Sequence, residues 1–409
     1  MAMSLTTLRP QALLGRTRLL GPAFVAAVAY VDPGNVATNT SAGASYRYLL
    51  LWVLVGATLM AGVVQYLSAK VGWLTGESLP ALVASRTGRR SRLAYWAQAE
   101  LVAMATDIAE IVGGALALQL LFGLPLTVGA IITVTVSTVL LLIQDRRSQR
   151  SFERVITGLL AVVAVGFIAG LFVSPPDAAA TAAGLVPRLA GTDSALLAVG
   201  MLGATVMPHA VYLHSALVRD RHGKADASCA TRVLGAIKFD VVAAMIVAGS
   251  VNIAMLLVSG SALFGLDLGN LTEVHAAVRA QLGWLVATGF ALALLASGLA
   301  STSVGGYAGA VIMDGLLHRR IPIVARRLVT TVPALLLLGS GVEPTRLLIL
   351  SQVVLSFGIP FALVPLVRIA RDRELMVLAP TRGATIAVAW VIVAIIVTLN
   401  AALLVLLLR

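Results

Sequence analysis

Runs of about twenty consecutive apolar residues recur from one end of this chain to the other, and each is long enough to cross a lipid bilayer as a helix. A chain built this way is a polytopic membrane protein, its runs crossing as helices at about 1.5 Å per residue. Eleven spans are expected, near residues 21–45, 48–74, 93–122, 124–143, 154–174, 195–220, 232–262, 283–303, 326–341, 345–369 and 384–408. The composition agrees, with 59% hydrophobic and 12% charged residues and a mean hydropathy of +0.96. The fold class expected is an all-α polytopic membrane protein. Short helices are expected at 265–280 and 305–318, and no connection has room for a soluble catalytic domain, so an enzyme is not expected.

The net charge of +12 is distributed by topology and does not imply a nucleic-acid partner. Arg9, Arg16 and Arg18 precede the first span. Further basic groups follow at Arg86 to Arg92, Arg146 to Arg154, Arg219 to Lys224, Arg319 to Arg327 and Arg368 to Arg373, whereas the loops near 175–194, 264–282 and 341–345 carry few Lys or Arg. The positive-inside rule then places the N-terminus in the cytoplasm, and an odd number of spans places the C-terminus outside. The short loops suggest a bacterial inner membrane. The first run lacks a cleavage site and reads as a retained span. Cys229 is the lone cysteine, a free thiol on a cytoplasmic connection that can form neither an internal disulfide nor a cysteine-based metal site.

Two spans are interrupted by proline: Asp32-Pro33-Gly34-Asn35 in the first, and Met207-Pro208-His209 in the sixth. Proline removes a backbone donor and clashes with the preceding turn, so each span divides into two half-helices with freed carbonyls at mid-membrane depth. Ten spans divide as five plus five with a broken helix leading each group. An odd group size inverts the second group, which is an inverted repeat. The organisation read from this is a cytoplasmic segment 1–20, repeats at 21–174 and 195–369, and an added helix 384–408.

A carboxylate inside an apolar helix costs roughly 2.5–3.5 kcal/mol on insertion scales, so Asp32 calls for a cation. Asn35 offers an amide oxygen, and Ala29, one turn before Asp32, a free carbonyl. Those oxygens describe a hard-cation site. Met207 changes it: a thioether is soft and favours Mn²⁺, Fe²⁺, Co²⁺ or Cd²⁺ over Mg²⁺ or Ca²⁺. Membrane methionines are mostly packing material. The position of Met207 beside the second break is what singles it out.

Glu100, Asp107 and Glu110 are spaced seven and three apart, and at about 100° per residue they share one stripe of the third span. Such a stripe implies protons, water or cations, the bland reading being a static ion-pair network. His209 titrates in the right range to carry a proton between Asp32 and the stripe. His214 lies five residues further, about 140° round the helix, so the two cannot form a zinc pair. His214 reads as a packing or gating residue, and His222, His275 and His318 as solvated groups in connections.

Val31 to Asn39 and Gly203 to His209, with Gln98 to Glu110, His214 to Leu217 and Ser351 to Gly358, resemble the signature segments of the Nramp family of proton-coupled divalent metal transporters. The resemblance covers nearly the whole chain. It implies a LeuT-like fold and a metal held by Asp32, Asn35, Met207 and the carbonyls of Ala29 and Ala204, joined in some states by Gln352. It further implies Arg221 and Arg327 as ion-pair partners of the acidic stripe. The chain departs from the family pattern at Ala210, Leu299 and Ala310, outside the ligand set. The expected activity is import of Mn²⁺ or Fe²⁺, with Cd²⁺ and Co²⁺ accepted, coupled to H⁺. Neither a permanent cofactor nor an obligatory protein partner is expected. The competing reading is a Na⁺-coupled organic solute symporter on the same scaffold, against which Asp32 stands because it would repel an amino-acid carboxylate.

Overall fold

The computed structural model describes residues 21–407 apart from 147, 148, 224, 267 and 320. The expected cytoplasmic segment 1–20 therefore lies outside the described residues, as do Arg147, Lys224 and Arg320. All regular structure among the described residues is helical. Eight helices are long and apolar enough to span a membrane, counting the two halves of the sixth span as one. The other three expected spans are the broken first span and two shorter helices.

The first span comprises α1 (Pro22–Val28), a 3₁₀ turn over Ala29–Val31, and α2 (Pro33–Tyr46). There follow α3 (Leu51–Thr75), the short α4 (Leu79–Ser85), α5 (Arg89–Phe122), α6 (Leu126–Arg146), α7 (Gln149–Val173) and the short α8 (Ala178–Ala183). The sixth span is α9 (Thr192–Thr205) plus α10 (Pro208–His222). The remainder is α11 (Ala230–Ala262), α12 (Leu271–Leu282), α13 (Trp284–Leu317), α14 (Ile323–Gly339), α15 (Pro344–Arg371) and α16 (Gly383–Leu407).

Three expectations are corrected. Residues 305–318 form no separate helix: α13 runs 34 residues without a break, because its small residues face α5 and let the two axes approach closely. His222 ends α10 and His275 sits inside α12 instead of in connections. The short helices α4 and α8 were not expected. The expected helix at 265–280 is present as α12.

The bundle turns small and polar side chains inward and large apolar ones outward, the pattern of a protein solvated by lipid. Leu59, Phe172, Leu285 and Leu336 are well exposed, whereas Asn39, Ser68, Ser297 and Thr302 are fully buried. α5 and α13 form the central pair. A Cβ on Gly298 would lie 2.9 Å from the Gly114 nitrogen, and one on Gly113 would overlap the ring of Pro33. The first contact brings α13 close against α5, and the second seats the broken first span directly on α5.

Candidate functional site

The two breaks are built alike. Asp32 is the N-cap of α2 with φ −70° and ψ 170°, Met207 is the N-cap of α10 with φ −78° and ψ 125°, and in each case proline opens the following half-helix. Proline is well suited to a first helical position, where its missing N–H would find no partner anyway. The same missing N–H has an upstream effect. The carbonyls of Ala29 and Ala204 would ordinarily accept from residues 33 and 208, and both are proline, so each is left without its helical donor. The two carbonyls that the family resemblance implies as ligands are thus the two that the prolines strip.

Around this pair of breaks the polar groups close on one another. Asp32 Oδ1 accepts from the backbone N–H of Asn35 at 2.7 Å and from Asn35 Nδ2 at 2.8 Å. Asn35 Nδ2 also donates to the Ala204 carbonyl at 2.9 Å, and Gln352 Nε2, from α15, donates to Asp32 Oδ2 at 3.2 Å. Asp32, Asn35, Met207 and Gln352 are all 0% exposed. The side-chain oxygens of Asn35 and Gln352 accept no hydrogen bond. Gly34 makes room for this arrangement, since a Cβ there would overlap the Gln352 amide. Five of the six expected ligand residues, Asp32, Asn35, Ala204, Gln352 and Met207, meet at or flank the breaks, and Ala29 lies in the 3₁₀ turn before Asp32. Among the described residues no three His, Cys, Asp or Glu side chains converge as a metal-binding group. The groups present at the breaks are one carboxylate, two side-chain amides, backbone carbonyls and a thioether.

The acidic stripe of α5 is paired with α14. Asp107 meets Arg327 at 2.7 Å, and Glu100 meets Arg326 at 3.2 Å. Arg327 also donates to Ser137 Oγ at 3.0 Å, and Arg326 to the Gly306 carbonyl at 3.2 Å. Arg327 is therefore placed as expected. Arg221 is not: it pairs with Glu153 of α7 at 3.0 Å, because it lies at the far end of α10 from the break, over a different helix. Glu110, the member of the stripe nearest Pro33, is 1% exposed with neither oxygen hydrogen-bonded. His209 approaches Thr106 of α5 through Nδ1 at 3.5 Å and leaves Nε2 without a partner. His214 Nδ1 lies 2.6 Å from Gln65 Oε1, and Gln65 in turn donates to the Tyr30 hydroxyl. This buried chain ties α10 to α3 and to the turn preceding Asp32.

Sequence reasoning missed Arg326, Ser137 and the glycines opposite them. A Cβ on Gly305 would sit 3.0 Å from Glu110, and one on Gly309 would overlap the Arg326 guanidinium. The i, i+4 spacing of these glycines was the available signal for a groove holding charge. It also missed Glu153 and Asp240, the latter accepting from the backbone of Gly21 at 3.1 Å and Ala23 at 2.9 Å.

An all-helical bundle with an apolar exterior and a sealed polar site between two broken helices has the architecture of multi-pass membrane transporters. The comparisons carry this to a family. Residues 23–406 match the model of Nramp, natural resistance-associated macrophage protein-like. The divalent metal cation transporter MntH of Mycobacterium tuberculosis (strain ATCC 25618 / H37Rv) is 57% identical over 384 residues, covering 93% of this chain and 90% of that one. MntH of Bacillus subtilis (strain 168) is 46% identical over 398 residues, 96% and 92% of the two chains. A crystal structure of the Eremococcus coleocola manganese transporter superposes with a TM-score of 0.85 at 30% identity, covering 98% of this chain and 90% of that one. A nucleobase-cation-symport-1 family transporter, at TM-score 0.60, 15% identity and coverage of 95% and 91%, shares the fold alone. The chain belongs to the Nramp family, and its fold is LeuT-like, with helices one and six broken and an eleventh helix added.

Proposed function

We propose that this protein imports divalent transition-metal ions, Mn²⁺ and Fe²⁺ foremost and Cd²⁺ or Co²⁺ as well, across the bacterial inner membrane by alternating access coupled to protons. The observation that carries the reading is the donor set at the breaks: one buried carboxylate, two proline-stripped carbonyls and a thioether. That combination favours borderline metals over alkaline earths. The names of the MntH relatives and of the manganese transporter agree with it. The sealed site supports alternating access, because a ligand can reach it only if helices move, and the broken first and sixth spans are the elements that can rock about it.

For protons, His209 and Glu110 are the groups with unused hydrogen-bonding capacity between Asp32 and the ion pairs Asp107–Arg327 and Glu100–Arg326. Asp32, His209 and Glu110 then form the inner part of the route, and the pairs its cytoplasmic part. Arg221 has no place in it and acts with Glu153 elsewhere on that side. His214 holds α10 against α3, the contact that gating has to work through.

The test is uptake of Mn²⁺, Cd²⁺, Ca²⁺ and Mg²⁺ into proteoliposomes with a pH dye inside, for the parent and Met207→Ala. Mn²⁺ and Cd²⁺ entry with lumenal acidification, and admission of Ca²⁺ or Mg²⁺ once the thioether is removed, is the expected result. Absence of metal flux in the parent would overturn the reading, and unchanged selectivity in the variant would remove Met207 from the site.

A further inference from the structure

A cavity of about 750 Å³ lies on the lipid-facing side of the bundle, between α3, α11 and the connection leading into α16. One end is cationic and the rest is apolar. Lys70, Lys238 and Arg382 line it together with Tyr66, and no Asp or Glu does. Lys238 and Arg382 are exposed, but Lys70 is only 5% exposed. The Lys70 ammonium reaches Thr381 Oγ1 at 3.1 Å, and among the described residues no carboxylate pairs with any of the three cations. The nearest acid along α11, Asp240, is turned away onto the backbone of Gly21 and Ala23. Lys70 thus turns its charge into the cavity with a hydroxyl as its hydrogen-bond acceptor, which leaves that charge to be balanced by an anion from outside.

The three cations share one end of the bundle. Lys70 is near the C-terminus of α3, Lys238 is in the first third of α11, and Arg382 directly precedes α16. From that end the cavity runs along α3 as far as Thr58 and Leu59. Twelve residues of helix separate Thr58 from Lys70, about 18 Å at 1.5 Å per residue, close to the roughly 15 Å half-thickness of the hydrocarbon core. Leu59, Val242 and Ile246 line this stretch and are 68%, 48% and 62% exposed, so it opens toward acyl chains and not toward water.

We propose that this groove is a binding site for an anionic phospholipid, with the phosphate held by Lys70, Lys238 and Arg382 and an acyl chain laid along α3 and α11. Basic pockets between membrane helices recognise anionic headgroups in this way, and the guanidinium fork matches two phosphate oxygens. A small free anion would use the cationic mouth and leave the apolar groove unexplained. Lys70 and Tyr66 belong to α3, the helix on which α10 packs, so lipid occupancy bears on the helix beside the second half of the sixth span. The site does not depend on which metal is carried.

Native mass spectrometry of the detergent-purified full chain tests the proposal, with phosphatidylglycerol and phosphatidylcholine titrated in turn and glycerol 3-phosphate added as competitor. The parent is expected to retain phosphatidylglycerol about tenfold better than phosphatidylcholine, and Lys238→Gln/Arg382→Gln to bring the two lipids level. Both of those side chains are exposed, so the double variant remains informative even where Lys70→Gln fails to fold. Equal retention of the two lipids by the parent, or a preference that survives the double variant, would overturn the site. Displacement of the lipid by equimolar glycerol 3-phosphate would overturn it too, and identify a small-anion site instead.

Discussion

Two of the three carboxylates in the stripe of α5 are each matched by one arginine of α14, which makes removal of either charge diagnostic. Asp107 and Arg327 are both nearly buried and meet at 2.7 Å. Arg327→Gln leaves Asp107 uncompensated in a low-dielectric interior and should lower stability by about 3–5 kcal/mol. Asp107→Asn combined with Arg327→Gln should recover most of that loss, because no charge is then left over. Thermal unfolding in detergent, run as a double-mutant cycle, checks this, and additive losses would refute the pairing. Glu110 differs in kind, since among the described residues no arginine forms an ion pair with it. Glu110→Gln should leave the melting temperature within a few degrees and reduce proton entry per Mn²⁺ taken up, read with the internal pH dye; an unchanged ratio would take Glu110 out of the route. Asp32, Asn35 and Met207 were legible as a site because proline marks the break and the side chains beside it are metal-capable. The partner of Asp107 could be named only through family resemblance. Arg326 and Arg221 were out of reach, because which arginine faces which acid depends on how α14 and α10 cross α5 and α7, and no local pattern encodes a crossing.

At the scale of the helix, the prolines do two things at once: they end the first half-helix and they leave a carbonyl four residues upstream without its donor. Pro208→Ala separates these effects from the donor set itself, since Met207, Asp32 and Asn35 all remain. The new N–H at 208 can donate to the Ala204 carbonyl, and α9 and α10 can then join as one helix, which removal of a proline favours by up to about 3 kcal/mol. Thermal stability should hold or rise while Mn²⁺ uptake falls by about tenfold or more, the loss of a carbonyl contact worth roughly 1.4 kcal/mol. Full uptake in this variant would show that the Ala204 carbonyl is not needed as a ligand. The same reasoning shows why the breaks could be read from sequence while the length of α13 could not. A proline breaks a helix by its own covalent chemistry. The glycines at 305, 306 and 309 only weaken one, and packing against Glu110, Leu141 and Arg326 recovers what they lose.

For the molecule as a whole, the distribution of basic residues and the parity of the spans make one claim, namely which side each connection faces. Cys229, the lone cysteine, lies between α10 and α11, is partly exposed, and has its sulfur 3.5 Å from the Asp226 carbonyl. It sits at the same end of the bundle as the Arg221–Glu153 pair and as Lys70, Lys238 and Arg382. On the proposed orientation that end is cytoplasmic, where basic connections are retained. A membrane-impermeant maleimide should leave Cys229 unlabelled in intact cells and label it after permeabilisation. Cys229→Ser with a cysteine placed at Leu266, in the connection between α11 and α12 at the opposite end, should reverse the pattern. Labelling of both positions from the outside would break the eleven-span topology, and exact inversion would keep the fold but turn the protein over in the membrane. Inversion would also carry the acidic stripe's ion pairs and the cationic lipid groove to the outer leaflet, so this one experiment fixes which side of the membrane each of them faces.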